Sequence, residues 1–231
     1  MPDDAEYHFR LAVLAGDEQP GRAMDELRRS VALGPWNAQH QIELGLRYEA
    51  EGNGAAAERC FLRAAEADNQ YLPRWTLANY YFRQGDRAKF WASARAAAQM
   101  AYGDAAPLFR LCDAAGETGD LIERLGVRKP EIRASYLSYL LAQGRIDAAG
   151  AAARRVLESG READVPLVLA ACDRMLAERR ADEAMDVWNR LAAARRIPFG
   201  RLSAGMVTNG QFLAAPISRG FDWRLPNMDG V

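Results

Sequence analysis

Histidine, cysteine and lysine are scarce in this sequence, and their scarcity excludes several kinds of site. The chain of 231 residues has two His and three Cys, and only two of its 30 basic residues are Lys. Because Cys60, Cys112 and Cys172 lie far apart and the His are so few, no zinc-ligand spacing is present. We predict that the three cysteines are small core thiols and that the chain holds no metal and no cofactor.

The sequence also has almost no net charge and no long apolar run. The chain has 31 acidic residues against 30 basic ones, which gives a formal net charge of −1 and no overall field that would steer it toward nucleic acid. No apolar run approaches the roughly 20 residues that a membrane span needs. The acidic N-terminus also lacks the apolar core of a signal peptide. These absences predict a cytoplasmic protein by default, or a periplasmic or envelope-associated one if the sequence is a fragment.

Catalytic motifs are missing as well. The sequence has no pair of acids, no nucleophile–base set and no phosphate-binding loop at a recognisable spacing. His8 and His40 are single, and neither has a Ser or Cys nucleophile near it in a recognisable frame. We therefore predict that the chain is not an enzyme, and a catalytic role for the segment 221–224 is the weakest of the hypotheses.

What the sequence does contain is a helical pattern that is clearest in residues 37–69. Each of two helices has one stripe of large and small residues: Leu44, Gly45 and Tyr48 in the first, and Ala57, Phe61 and Ala64 in the second. Gly52 ends the first helix, because glycine tolerates a left-handed backbone. The small Gly45 and Ala57 allow the two backbones to approach closely, and the large Tyr48 and Phe61 fill the space around them. The pattern predicts a helical hairpin.

The motifs of this hairpin resemble the tetratricopeptide repeat, whose unit is about 34 residues long. The matching residues are Leu44-Gly45-x-x-Tyr48 and Ala57-x-x-x-Phe61, while Gln41 and Asn69 stand where the family often has Trp and Pro. Related motifs recur at Ala23-x-x-x-Leu27, Leu77-Ala78-x-x-Tyr81, Ala149-x-x-x-Ala153 and Ala184-x-x-x-Trp188, 33 to 35 residues from their counterparts. The resemblance covers residues 5–195. It implies an all-α, right-handed superhelical α-solenoid of about five hairpins.

The predicted organisation is a helical repeat domain, 1–197, followed by a tail, 198–231. Within the repeats, residues 101–128 match the pattern least and are predicted to form a shortened, divergent hairpin. The tail contains several Gly and Pro and a turn pair at Asn209-Gly210, and is predicted to be irregular or extended. It faintly resembles the start of a β-sandwich module in bacterial envelope and polysaccharide-related proteins of this repeat family. Since about 30 residues cannot form a sandwich alone, either the module is truncated or the tail packs back onto the helices.

The resemblance also implies that the first helix of each hairpin lines a concave groove. The groove-binding candidates lie on two of these helices: Ile42, Leu46, Glu49, Trp75, Asn79, Phe82 and Arg83. Trp75, Asn79 and Phe82 are spaced i, i+4, i+7 and so share one helix face. Aromatic rings beside Asn and Arg combine apolar area with hydrogen bonding, which suits contact with a peptide. The alternative is that Trp75 and Phe82 only pack between helices.

The tail contributes a second candidate surface: Phe221, Asp222, Trp223 and Arg224. In a strand, alternation would place Phe221 and Trp223 on one face and Asp222 and Arg224 on the other. The cluster is predicted either to bury two aromatic rings in a strand or cap, or to form a surface for a glycan or a partner.

Together these features predict a protein–protein interaction scaffold without catalysis, which binds a peptide or helix of a protein partner in its groove. The alternative is a component of bacterial cell-envelope or exopolysaccharide assembly, in which the helices act as an adaptor and a C-terminal module contacts glycan.

Overall fold

The computed structural model describes residues 3–116 and 120–225, and these residues are all-helical, with no strand among them. The first six helices are α1 (Ala5–Ala15), α2 (Pro20–Leu33), α3 (Ala38–Ala50), α4 (Gly54–Ala67), α5 (Tyr71–Arg83) and α6 (Arg87–Met100). The others are α7 (Ala106–Ala114), α8 (Leu121–Arg124), α9 (Pro130–Ala142), α10 (Ile146–Leu157), α11 (Val165–Ala177) and α12 (Ala181–Ala193). A short 3₁₀ turn, Glu162–Asp164, precedes α11.

Consecutive helices pack in pairs, as a chain of helical hairpins requires. The pairs α1–α2, α3–α4, α5–α6, α9–α10 and α11–α12 each pack together, and α2–α3, α4–α5 and α10–α11 join neighbouring pairs. This confirms the predicted α-solenoid class of fold. The described residues contain five full-length hairpins. Residues 101–128, for which a shortened hairpin was predicted, contain the two short helices α7 and α8.

The chain divides into two compact units, and the division falls in this shortened region. The first unit comprises Met1–Ala101 and Arg110–Thr118, and the second comprises Tyr102–Phe109 and Gly119–Val231. The predicted groove candidates all belong to the first unit. The predicted tail belongs to the second.

In the first unit, side-chain caps and glycines set the ends of the helices. Asp4, Asn37, Asn53 and Asp86 each accept a backbone N–H in the first turn of the helix that follows. After α3 and α5, Gly52 and Gly85 take φ values of 78° and 71°, which only glycine adopts without strain.

The close approach predicted inside the second hairpin is confirmed. A Cβ atom placed on Gly45 would lie 2.5 Å from Cε1 of Phe61, so only glycine fits against this ring. The Phe61 side chain is completely buried. Helix α3 therefore lies directly on the ring, and this contact fixes the distance between α3 and α4.

In the second unit, helices α9 and α11 each have a proline in their first turn. The N–H that proline lacks costs no hydrogen bond there, because the first N–H groups of a helix have no acceptor within the helix. Helix α8 has only four residues and begins at Asp120, whose carboxylate accepts the N–H groups of Ile122 and Glu123. The core of this unit contains Leu137, Met175 and Trp188, all fully buried.

The tail begins after the last helix and folds back onto it. Residues 198–225 form turns and bends, so the extended strands expected here are not confirmed in the described part of the tail. Phe199 stacks on the buried Trp188 at 5.7 Å between ring centroids, and Phe221 meets the same ring edge-on at 5.9 Å. The side chain of Asn189 on α12 pairs with both backbone groups of Leu202, at 2.7 and 2.9 Å. The described part of the tail therefore packs against α12; residues 226–231 lie outside the described part.

Candidate functional site

The groove candidates of α3 and α5 differ widely in exposure. Leu46 is 39% exposed, while Ile42 is buried at 9%. Trp75, Asn79 and Phe82 are half-buried, and Arg83 is exposed. Ile42 therefore belongs to the core of the first unit, and the side chains that a partner could reach are those at the other positions.

The two charged candidates bind each other. Arg83 on α5 donates from Nε and Nη2 to the two carboxylate oxygens of Glu49 on α3, at 2.8 and 2.7 Å. These hydrogen bonds raise the pKa of Arg83, and the partial burial that opposes them is the smaller effect. The pair joins the first helices of two consecutive hairpins, and it neutralises the charge at this point of the surface.

The remaining polar candidate is also engaged within its own helix. Asn79 donates from Nδ2 to the carbonyl oxygen of Trp75 at 2.9 Å. Because Arg83 and Asn79 already use donors inside the protein, this face offers little to a single charged ligand group. Its free surface is mainly apolar.

Each of the two aromatic candidates packs against another ring. Trp75 stacks on Tyr71 of the same helix at 5.9 Å, and Phe82 meets Phe90 of α6 at 5.8 Å. Each ring thus packs against another ring while remaining half-exposed. An aromatic ring supported in this way is a rigid contact surface that loses little conformational entropy on binding.

Sequence analysis missed Val13 on α1. It lies 33 residues before Leu46, as Leu46 lies 33 residues before Asn79, and 58% of it is exposed. The same period that identified the repeats predicts that Val13 occupies the equivalent position on the first helix. The periodic signal for Val13 was therefore present in the sequence.

The four tail candidates do not alternate as strand residues. Asp222 is buried at 6%, Phe221 is partly buried against Trp188, and Trp223 is 39% exposed. The N–H of Asp222 donates to the carbonyl of Arg219, a turn, and its carboxylate accepts the N–H of Ile217 at 2.5 Å. A turn rather than a strand sets the directions of these side chains, so only Trp223 and Arg224 are exposed.

Trp223 takes part in an aromatic pair that sequence analysis did not identify. It stacks on Phe212 at 5.2 Å with an angle of 25° between the rings, and its indole N–H donates to the carbonyl of Asn209 at 3.2 Å. Phe212 is 55% exposed, and the neighbouring Leu213 is 87% exposed. The tail therefore presents a fixed, exposed pair of rings.

Arg224 holds the tail to helix α11. Its Nη2 donates to Asp173 at 2.6 Å, and Asp173 also accepts the Gly220 N–H at 2.7 Å and an N–H of Arg219 at 3.0 Å. Burial acts to raise the pKa of Asp173, but the hydrogen bonds from Arg224, Gly220 and Arg219 together lower it below its usual value. We refer to Asp173, Arg219, Gly220 and Arg224 as the tail clip.

One buried network in the first hairpins has the composition of a catalytic triad. Contrary to the expectation that no nucleophile lies near a histidine, Ser30 Oγ is 2.8 Å from His40 Nδ1, and His40 Nε2 is 3.4 Å from Glu6. Ser30 is completely buried, and its hydroxyl donates to the carbonyl of Ala5 at 2.8 Å. A buried hydroxyl that already donates to the backbone has no access to a substrate, so the network joins α1, α2 and α3 structurally.

The three cysteines are buried thiols, as predicted, and none of them forms a disulfide. Burial raises the pKa of Cys60, and it raises that of Cys172 to about 12. Across residues 3–116 and 120–225, no group of three or more His, Cys, Asp and Glu is placed to hold a metal ion. Within the same ranges, none of the helices has the length and apolar character needed to cross a membrane.

Comparisons with known proteins place the chain in no family. No family model matches it, and no curated protein matches it. A solved structure from the functional characterization of Pseudomonas aeruginosa pilF is similar over 82% of this chain and 76% of its own, with 13% sequence identity and a TM-score of 0.39. A likeness this distant carries no argument about function, which must come from the surfaces themselves.

Proposed function

We propose that the chain is a protein-interaction scaffold and that the first helices of its first unit bind an apolar segment of a protein partner. The observation that carries this proposal is the exposure of Val13 on α1 and Leu46 on α3 at equivalent positions of two repeats, together with the half-buried rings of Trp75 and Phe82 on α5. Apolar side chains at equivalent positions of stacked repeats suit contact with a continuous peptide or helix.

The charges at this face favour an uncharged contact. Glu49 and Arg83 neutralise each other, and the nearby Arg47 on α3 donates to Asp17 at 2.6 Å. These charged side chains are already paired within the protein, so a partner would match this face through apolar area and shape rather than through charge. This supports an apolar stretch of the partner.

The second hairpin offers a matched pair of variants to test this. Leu46 on α3 and Leu62 on α4 are the same residue type and are 39% and 43% exposed, but they lie on different helices of the hairpin. A photo-crosslinking amino acid at each position, in the full chain, would be used to capture partners from native extract. Captured proteins would be purified, and their affinity would be measured for Leu46→Glu and Leu62→Glu.

The proposal predicts that a purified partner binds the Leu62→Glu variant as it binds the wild type and binds Leu46→Glu at least tenfold more weakly, because a buried charge at an interface is costly. Both variants should retain the helical content of the wild type by circular dichroism. Equal affinity of the two variants for every captured protein would refute the groove proposal.

A second candidate function rests on the exposed aromatic pair of the tail. Flat, exposed rings can stack on sugar rings, and the stacked Phe212 and Trp223 support the alternative of a glycan contact in cell-envelope or exopolysaccharide assembly. The test is retardation of the protein in native gels that contain polysaccharide. Phe212→Ala should abolish retardation, and Leu213→Ala, at a more exposed neighbouring position, should not. Identical migration of both variants in every polysaccharide would exclude this candidate.

A further inference from the structure

A short loop in the tail exposes four large apolar side chains. Met206, Val207, Phe212 and Leu213 are 62%, 65%, 55% and 87% exposed. Met206, Val207 and Leu213 line the same surface depression, of about 260 Å³, so they share one side of the second unit. We refer to residues 206–213 as the apolar loop. Apolar side chains that are exposed together, and not scattered singly, mark a surface that binds something.

Hydrogen bonds on both sides of the apolar loop hold its backbone in place. Asn209 donates from Nδ2 to the carbonyl oxygen of Ala214 at 2.8 Å and accepts the Ala214 N–H at 3.3 Å. The indole N–H of Trp223 donates to the carbonyl oxygen of Asn209 at 3.2 Å, and its ring stacks on Phe212. The loop is therefore already in one conformation, and binding through it costs little ordering of the chain.

The part of the second unit that carries the apolar loop has a positive charge. Residues 195–225 contain five arginines and one acidic residue, Asp222, which is buried. With α11 and α12 included, residues 165–225 contain nine arginines and six acidic residues, in a chain whose formal net charge is −1. Among the described residues that line the depression, Arg201 is the only charged one, and it is exposed. An arginine therefore lies directly beside the apolar loop.

This combination suits an anionic membrane surface better than a protein. A stable protein interface takes about 20–30 residues from each side, whereas the apolar loop presents four large side chains. A bilayer needs only a few apolar side chains below its headgroups, and each arginine close to anionic lipid adds to the affinity. We propose that the tail binds the surface of an anionic lipid bilayer, with Met206, Val207 and Leu213 inserted below the headgroups and Arg201 beside a lipid phosphate. The amphipathic ring of Trp223 suits the level of the headgroups.

The test is cosedimentation of the full chain with phosphatidylcholine vesicles that either contain or lack phosphatidylglycerol. The proposal predicts saturable binding to the anionic vesicles, which added salt weakens, and binding at least about fivefold weaker to the neutral ones. A spin label on the lipid acyl chains should broaden the methyl NMR signals of Met206, Val207 and Leu213, because these side chains are inserted. It should not broaden those of Leu14. No binding to anionic vesicles, or binding without this broadening, would overturn the proposal.

Matched variants separate insertion of the loop from general attraction to vesicles. Leu213 and Leu14 are 87% and 82% exposed, but Leu14 lies on α1, in the first unit. Leu213→Ala should weaken vesicle binding about tenfold or more, since it removes aliphatic carbons that leave water on insertion, and Leu14→Ala should not change it. Arg201→Gln should weaken binding about fivefold, and Arg29→Gln, at an exposed position on α2, should not. Equal effects within either pair of variants would contradict the proposed orientation on the bilayer.

Leu213→Ala also distinguishes a membrane from a glycan. A glycan that stacks on the rings of Phe212 and Trp223 depends on Phe212 and not on Leu213, whereas the bilayer depends on Leu213. Loss of vesicle binding in Leu213→Ala therefore supports the membrane proposal. If the wild type is retarded by a polysaccharide and does not sediment with anionic vesicles, this surface binds glycan and the membrane proposal is wrong.

Discussion

Two regions of the molecule contain the same two kinds of contact, a glycine against an aromatic ring and an ion pair, but they join different parts of the structure. In the second hairpin, Gly45 lies against the ring of Phe61, and Glu49 nearby binds Arg83 of the next hairpin. In the last hairpin, Gly220 of the tail lies against the ring of Trp188, and Asp173 binds Arg224. In the first region the contacts join helix to helix, and in the second they join an irregular segment to a helix.

The difference lies in what else supports each contact. Gly45 is inside α3, whose backbone hydrogen bonds hold it in place whatever happens to Phe61. Gly220 has a φ of 57° in a turn, and its position depends on Asp173, Trp188 and a few other contacts. We therefore expect the helical contact to respond to mutation as part of a cooperative unit, and the tail to detach locally.

The largest expected effects come from removing the two rings. Phe61→Ala and Trp188→Ala should each lower the free energy of unfolding by about 3–5 kcal/mol, because both side chains are completely buried. Trp188→Ala should in addition increase hydrogen exchange of the amides in 199–224, as the tail loses the ring that it covers. The measurements are urea unfolding and hydrogen–deuterium exchange. Unchanged protection of the tail in Trp188→Ala would show that the aromatic contacts do not hold it.

Replacing Gly45 or Gly220 by Ala should have smaller effects, and the two variants should affect different parts of the protein. Gly45→Ala introduces a clash worth about 1–3 kcal/mol, and the better helix propensity of Ala returns about 1 kcal/mol, so the unit should lose about 0–2 kcal/mol. Gly220→Ala combines a clash at Trp188 with a left-handed backbone that costs about 1–2 kcal/mol for a residue with a Cβ. Its effect should be confined to exchange rates in the tail.

Two glycines with space around their Cα atoms serve as controls for Gly45→Ala and Gly220→Ala. Gly21 on α2 has no atom within 4 Å of a Cβ position, and at Gly210 in the tail the nearest is the Val207 carbonyl oxygen at 3.9 Å. Gly21→Ala should stabilise the first unit slightly, and Gly210→Ala should leave tail exchange unchanged. If Gly210→Ala releases the tail as much as Gly220→Ala does, the clash with Trp188 is not the cause.

The contrast between the regions also explains what could be predicted from the sequence. The hairpins, the contact of Gly45 with Phe61 and the buried cysteines follow from periodicity, because residues three and four apart share a helix face. The tail clip joins residues 46 to 51 positions apart in sequence with no periodic pattern. The alternation proposed for Phe221 to Arg224 is not observed, since a turn at Arg219 determines the directions of these side chains.

The candidate sites were less predictable than the fold for a similar reason. Sequence position placed Ile42 and Leu46 on one helix, but only packing buries Ile42 and leaves Leu46 exposed. The pairing of Glu49 with Arg83 depends on how α3 and α5 lie together, 34 residues apart in sequence. The short helix α8, by contrast, was predictable, because Asp120 marks its beginning and Gly126 follows its end within a few residues.

The tail clip should depend on pH through Asp173. Because the folded-state pKa of Asp173 is lowered, its contribution is fully present above the unfolded-state pKa of about 3.9 and is lost as the pH falls through the folded-state value. Protection of the Gly220 amide should therefore be constant between about pH 5 and 8 and should fall below about pH 4. Asp173→Asn should lower tail stability by about 1 kcal/mol at pH 7 and remove this pH dependence. Glu178→Gln, at an exposed position after the same helix, should change neither.

The smallest expected effect comes from removing the ion pair of Glu49 and Arg83 in the first unit. Arg83 is 44% exposed and Glu49 17% exposed, so a double-mutant cycle with Glu49→Ala and Arg83→Ala should give a coupling energy of about 0.2–1 kcal/mol that decreases with added salt. The corresponding cycle with Asp173→Ala and Arg224→Ala should give a larger coupling, because Asp173 also accepts the Gly220 N–H and holds the tail in the position that Arg224 needs. A coupling for Glu49 and Arg83 equal to or larger than that for Asp173 and Arg224 would contradict this. It would mean that helix packing strengthens an ion pair more than a shared backbone contact does.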